Sequence, residues 1–155
     1  MLKVFKTRDV KTPERSGRNA GFDFFIPNDI DHDPVLGGFY INPQSHQSIP
    51  SGIKVRLPEN HCLVAFNKSG IASKLQLVAG ATLVDENYTG EIGLSLINVG
   101  SEPVLLKPGM KVMQFVLIKQ DYVSVEECSK EEDLYEEGFD HKERGSGGFG
   151  STGIR

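Results

Sequence analysis

The sequence has no surplus of positive charge, no long apolar run and only two cysteines among its 155 residues. Each shortage removes a class of protein. Lys and Arg number 17 against 21 Asp and Glu, a formal charge of −4, so broad electrostatic attraction to DNA or RNA is disfavoured. An anionic ligand then has to be held by a local cluster or by a metal ion. No segment is long enough to cross a membrane, and residues 1–6 alternate polar and apolar side chains without the apolar stretch of a signal peptide, so a cytoplasmic location is expected. Cys62 and Cys128 are too far apart for a metal knuckle. Cys62 also sits in the apolar run Cys62-Leu63-Val64-Ala65-Phe66, which predicts a buried thiol in a reducing compartment. At this length one domain buries about 68–70 % of its unfolded surface, so neither disulfide nor metal staple is needed for stability.

What is present is a series of short β-type runs separated by turn residues. Strands are expected at 3–6, 22–26, 52–57, 62–66, 75–78, 92–99, 104–107 and 111–118, punctuated by Pro58-Glu59-Asn60, Ser69-Gly70, Gly80, Gly100 and Pro108-Gly109. That spacing predicts an all-β sandwich or barrel. The single credible helical turn starts at Ser69, its expected cap, and runs through Ile71, Ala72 and Leu75. Residues 28–46 read as a long surface excursion. Asp29, Asp31 and Asp33 alternate there like calcium ligands, but the EF-hand glycine and terminal glutamate are missing, which leaves a solvated loop as the reading.

Leu83-Val84-Asp85-Glu86-Asn87-Tyr88-Thr89-Gly90-Glu91 reads as the tip of a β-hairpin, with Ile92, Leu94, Leu96 and Val99 continuing an apolar strand. On the residues alone, Asp85 and Asn87 either shape a turn or present chemistry. Gln114 falls inside the apolar run Val112-Met113-Gln114-Phe115-Val116-Leu117, where a buried amide needs partners. Beyond Val123 the character changes. Glu126, Glu127, Glu131, Glu132, Asp133, Glu136 and Glu137 form an acidic stretch, followed by Arg144-Gly145-Ser146-Gly147-Gly148-Phe149-Gly150-Ser151-Thr152-Gly153. A core over 1–125 and an acidic linker with a Gly-rich arm over 126–155 are therefore expected. Phe149 sets this tail apart from a passive linker, because a loop folding over a ligand can stack a ring and hold phosphate oxygens with bare backbone N–H groups.

Five segments, in this order and spacing, resemble the trimeric deoxyuridine triphosphatases (dUTPases). They are Ala20-Gly21-Phe22-Asp23, Asn67-Lys68-Ser69-Gly70-Ile71-Ala72, the 83–91 segment, Gly109-Met110-Lys111-Val112-Met113-Gln114, and Arg144 with Phe149-Gly150-Ser151-Thr152-Gly153. Each alone occurs often by chance; five in sequence do not. The resemblance implies a distorted jelly-roll β-barrel or sandwich with one short helix and a flexible C-terminal arm. It also implies hydrolysis of dUTP to dUMP and pyrophosphate, which lowers dUTP and supplies the dTMP precursor. Asp85 is then the base that activates water at the α-phosphorus, and Tyr88 the ring that excludes a 2′-hydroxyl. Leu83, Val84 and Gly93 lie against uracil and sugar. Lys68, Ser69, Gly70 and Gln114 serve the phosphates, while Arg144, Phe149, Gly150 and Ser151 close as a lid. Asp23 acts indirectly, through water, on Mg²⁺ carried mainly by the triphosphate. A homotrimer with sites shared between chains follows, with no nucleic acid and no membrane as partner. Two positions depart from the family pattern: Lys68 stands where arginine is commoner, and Thr82 where glycine is usual. A dCTP deaminase or bifunctional deaminase on the same fold is the rival reading, and a regulatory protein using the nucleotide site as a switch is another. His32, His46, His61 and His141 read as surface residues.

Overall fold

The computed structural model describes residues 1–135. Two compact units are distinguished, Met1–Tyr122 and Val123–Arg155, the boundary falling where the composition turns acidic. Among the described residues of the second unit the one regular element is a 3-10 turn, Glu131–Leu134. Its acidic residues Glu131, Glu132 and Asp133 occupy the first turn, where negative charge is favoured. No helix among the described residues is long and apolar enough to cross a membrane.

The first unit is built from β1 (Lys3–Lys6), β2 (Gly21–Phe25), β3 (Phe39–Ile41), β4 (His46–Pro50), β5 (Ile53–Arg56), β6 (His61–Phe66), α1 (Ser69–Leu75), β7 (Leu77–Ala79), β8 (Leu83–Val84), β9 (Gly93–Asn98), β10 (Val104–Leu106) and β11 (Lys111–Lys119). Pairing is nested: β2 pairs with β11, β3 with β10 and β4 with β9, all antiparallel. A ribbon folded back on itself in this way is a jelly roll. The two larger sheets run β2-β11-β6-β8 and β4-β9-β7. Alternation sends Leu63 and Ala65 of β6, Met113 and Phe115 of β11, and Leu94 and Leu96 of β9 into one apolar core. Each of the Leu, Met and Phe side chains among them contributes about 1.5–3 kcal/mol by leaving water. Phe24 and Phe115 meet there with ring centroids 4.6 Å apart.

Four expectations are corrected by this topology. Residues 83–91 are not a hairpin tip, because β8 pairs with β6 and β9 pairs with β4 and β7. The segment is a crossing between two sheets, and its apolar flanks alternate as hairpin strands would without ever facing each other. The 28–46 excursion is partly sheet: Ile41 of β3 is buried, and β4 begins at His46. Within its loop Asp33 is turn-forming, its Oδ1 accepting the N–H groups of Val35 and Leu36. Leu75 ends the helix rather than opening a strand. Ser69 is also the first helical residue and not the cap, since extended Lys68 occupies the cap position without a side-chain cap bond.

Candidate active site

The chain leaves β8 at Val84 and turns at once, the Tyr88 N–H donating to the Asp85 carbonyl (3.1 Å). Two glutamates fasten the loop, Glu86 within that turn and Glu91 beyond it. Glu86 Oε2 accepts from the Asn60 N–H (2.7 Å) and the Tyr122 hydroxyl (2.6 Å). The Tyr122 bond is the main reason the Glu86 carboxyl lies below its ordinary range, and the same bond pushes the Tyr122 phenol up. Glu91 accepts from the Gly52 N–H (2.9 Å) and the Thr7 hydroxyl (2.8 Å), with Arg8 at 3.7 Å. Asp85 itself is exposed, and its carboxylate has no hydrogen bond or ion pair among the described residues. A charge held out on an anchored loop is available to a ligand or a water.

Beside it lies a cavity of about 600 Å³. Leu83, Val84, Asp85 and Tyr88 form one wall, Gly80 and Ala81 a second, and His46, Ser48, Gly93, Ser95 and Ile97 from β4 and β9 a third, with Ile92 and Phe115 completing the lining. The Tyr88 hydroxyl donates to the Glu91 carbonyl (2.9 Å). Gly90 lies against the ring, since a Cβ there would stand 2.5 Å from Tyr88 Cζ. Thr82 is not part of the lining and its backbone is not in the positive-φ region, so glycine's freedom is not needed at that position. Its carbonyl accepts the Ala65 N–H (2.7 Å). On its other flank Asp85 borders a hollow of about 290 Å³ with Arg56, Glu86, Asn87, Gln120 and Tyr122.

A second group gathers where β2, β11 and the start of α1 meet. Gln114 lies opposite both Asp23 and Phe66 in the sheet, and its amide donates to the Asn67 carbonyl (2.9 Å), satisfying the polar group in the apolar run. Asp23 Oδ1 pairs with Lys68 Nζ (2.5 Å) and Oδ2 with Lys111 Nζ (3.2 Å). Burial raises the Asp23 pKa, but the bonds and charges of the two lysines outweigh it, and the net position is below the usual 3.8. Hydrogen bonding to Asp23 is likewise the main cause that raises Lys111. Lys111 also approaches Glu14 (3.6 Å), which pairs with Lys11 (2.7 Å). Ser69 and Gly70 are exposed at the first turn of α1, where helix geometry leaves their N–H groups without intrahelical partners.

Asp23 was expected to act on metal-bound water; here both its oxygens are engaged by lysines, an arrangement that positions Lys68. Among the described residues no group of three or more His, Cys, Asp or Glu is placed to hold a metal. The two groups of site residues also stay apart. Asp23, Lys68, Ser69, Gly70 and Gln114 do not line the cavity. β2, which carries Asp23, and β8 are opposite edges of a four-stranded sheet, roughly 14 Å across, whereas Lys68, Ser69 and Gly70 follow β6, the strand paired with β8. Arg144, Phe149, Gly150, Ser151 and His141 lie outside the described residues.

Sequence reasoning missed Glu86, Glu91 and Tyr122 as loop anchors, Lys111 as the second partner of Asp23, and His46, Ser48 and Ser95 as cavity lining. Alternation in β9 was the available signal for Ser95, which shares a face with Gly93 and Ile97.

The dUTPase family model matches residues 9–153. A deoxyuridine 5'-triphosphate nucleotidohydrolase of Clostridium tetani is 35% identical over 155 residues, covering 98% of this chain and 94% of its own. The Mus musculus protein of the same name is 32% identical over 138 residues, 89% of this chain and 75% of its own. Among solved structures, a Staphylococcus bacteriophage 80alpha dUTPase with dUpNHpp superposes with a TM-score of 0.77 at 21% identity, over 99% of both chains. At that identity the likeness speaks for the fold. A family match over most of the length, a curated relative above 30% identity and the nested jelly-roll pairing agree, and the chain belongs to the dUTPase family.

Proposed function

We propose that the protein hydrolyses dUTP to dUMP and pyrophosphate, with the base in the cavity beside Asp85. The observation that carries this reading is the free Asp85 carboxylate at the rim of a cavity whose volume, about 600 Å³, falls in the range of small-molecule sites. Asp85 accepts a proton from a water attacking the α-phosphorus; the bond from that phosphorus to the α,β-bridging oxygen breaks, and pyrophosphate leaves. Tyr88, fixed by its bond to the Glu91 carbonyl, lies under the sugar and leaves no room for a 2′-hydroxyl. Leu83, Val84 and Gly93 enclose base and sugar. Lys68 and the N–H groups of Ser69 and Gly70 take phosphate oxygens, with Asp23 aiming Lys68 and Gln114 holding the Asn67 turn. Mg²⁺, carried by the triphosphate, would supply charge neutralisation on the phosphoryl oxygens.

None of the lysine and helix-turn group lines the cavity, which accords with a second copy bringing such a group to the substrate. A homotrimer supplies one such group to each cavity, and the arm bearing Arg144, Phe149, Gly150 and Ser151 closes it as a lid. Free thiols at Cys62 and Cys128 accord with a cytoplasmic enzyme. The test is incubation with dUTP, dCTP, dTTP and UTP in the presence of Mg²⁺, following pyrophosphate and ammonia separately. Pyrophosphate from dUTP alone is expected; ammonia from dCTP would instead establish the deaminase.

A further inference from the structure

His46 is exposed, as expected of a surface histidine, and it also lines the cavity with one ring nitrogen tied down. His46 Nε2 is 2.8 Å from Ser95 Oγ. Ser95 is 3% exposed, and its Oγ already accepts the Ala81 N–H at 2.9 Å. With that N–H donating to it, the hydroxyl hydrogen has His46 Nε2 as its partner among the described residues. Were Nε2 to carry the proton, the buried Ser95 hydrogen would be left without an acceptor, a costly arrangement. Ser95 therefore donates to Nε2 and the imidazole carries its proton on Nδ1. Gly80 makes room for this pair: a Cβ there would stand 2.4 Å from Ser95 Oγ and 3.5 Å from His46 Cδ2. The Nε2 and Cδ2 edge of the ring is thus packed on the protein, and Nδ1 on the other edge has no partner among the described residues.

We infer that His46 is a specificity-determining residue of the cavity, its Nδ1–H donating to a carbonyl of the pyrimidine base. A carbonyl at the 4-position accepts this hydrogen bond, whereas the amino group of cytosine presents a donor to a donor and is refused. Ser95 acts through His46 as the positioning residue, because it decides which nitrogen carries the proton. The inference rests on the cavity being the base site, so the test separates the two.

The full-length enzyme is assayed as wild type, His46→Ala and His46→Asn with dUTP as substrate and dCTP as a competitive inhibitor. Loss of one hydrogen bond raises KM for dUTP about tenfold in His46→Ala with kcat unchanged, while dCTP, no longer faced by a donor, inhibits at lower concentration than in wild type, so discrimination shrinks by more than that factor. Asparagine places an amide near the Nδ1 position. His46→Asn therefore recovers dUTP binding but loses discrimination, since the amide can also turn its oxygen towards an amino group. Equal weakening of dUTP and dCTP binding, or a change confined to kcat, overturns the inference, as a merely structural His46 would give. Titration with dUMP, read from the methyl signals of Val84, Ile92 and Ile97 and from the His46 ring nitrogens, separates the premise. Methyls that stay still show that the base binds elsewhere. Methyls that shift beside ring nitrogens that do not leave the base site standing and reject the role of His46.

Discussion

Replacing Asp85 by asparagine separates proton acceptance from every other duty the residue has. The side chain is exposed and makes no hydrogen bond or ion pair among the described residues. The turn is held by its main-chain carbonyl and by Glu86, not by its carboxylate. An isosteric change at such a surface position shifts stability by no more than about 0.5 kcal/mol. Removing a general base, by contrast, costs roughly 10²–10⁴ in rate, which is about 2.7–5.4 kcal/mol on the barrier. The two numbers differ enough to decide. Asp85→Asn is therefore expected to melt in urea with the wild-type midpoint and bind dUMP normally, while kcat for dUTP falls at least a hundredfold. Steady-state pyrophosphate release and urea unfolding, on the same preparation, give both quantities. A kcat within fivefold of wild type, at an unchanged unfolding midpoint, refutes the assignment of Asp85 as the base.

Four further outcomes are expected. Because the Asp23 pKa is lowered by Lys68 and Lys111, the stability it contributes is complete above its ordinary value of 3.8 and fades as pH falls through the lower, folded-state value. Thermal melts across the acid range should show wild type losing its advantage over Asp23→Asn at the acid end. Asn98 is fully buried, donates to the carbonyls of Ile41 and Glu102, and accepts the Gly100 N–H. Asn98→Ala orphans these groups and should cost about 2–4 kcal/mol in urea unfolding. Tyr88→Ala should erode the preference for dUTP over UTP in steady-state assays, with little change in stability because the ring is 45% exposed. Deleting the residues after Lys142 should leave a folded oligomer by size exclusion with severely reduced turnover; an undiminished rate would show that the arm is only a tail.

The strands were legible wherever alternation coincided with burial: Lys3–Lys6 is β1 as expected, and β6, β9, β10 and β11 fall within the expected runs to a residue or two. β3 and β4 were missed because Phe39-Tyr40-Ile41 is short and His46-Gln47-Ser48 is polar. They are strands by virtue of the partners β10 and β9 that reach them from far along the chain. The 83–91 segment shows the same limit from the other side. Two runs on either side of a turn satisfy the hairpin pattern, and nothing local reveals that one joins β6 and the other β4.

By itself the sequence determined the chemistry available: an all-β chain with an aspartate and a tyrosine on one loop, a lysine and serine at a helical turn, and a Gly-rich arm carrying Arg144 and Phe149. Residue type and spacing carry that information because reactivity belongs to the side chain. Only the tertiary structure decided how these groups are arranged. It set Lys111 and Lys68 on the two oxygens of Asp23, left Asp85 free on a loop anchored by Glu86 and Glu91, tied His46 to Ser95, and left the lysine group out of the cavity lining. The contacts behind these arrangements join residues distant in the chain. Such contacts follow from strand pairing and register, which the jelly-roll nesting settles through the whole core at once and no single segment encodes.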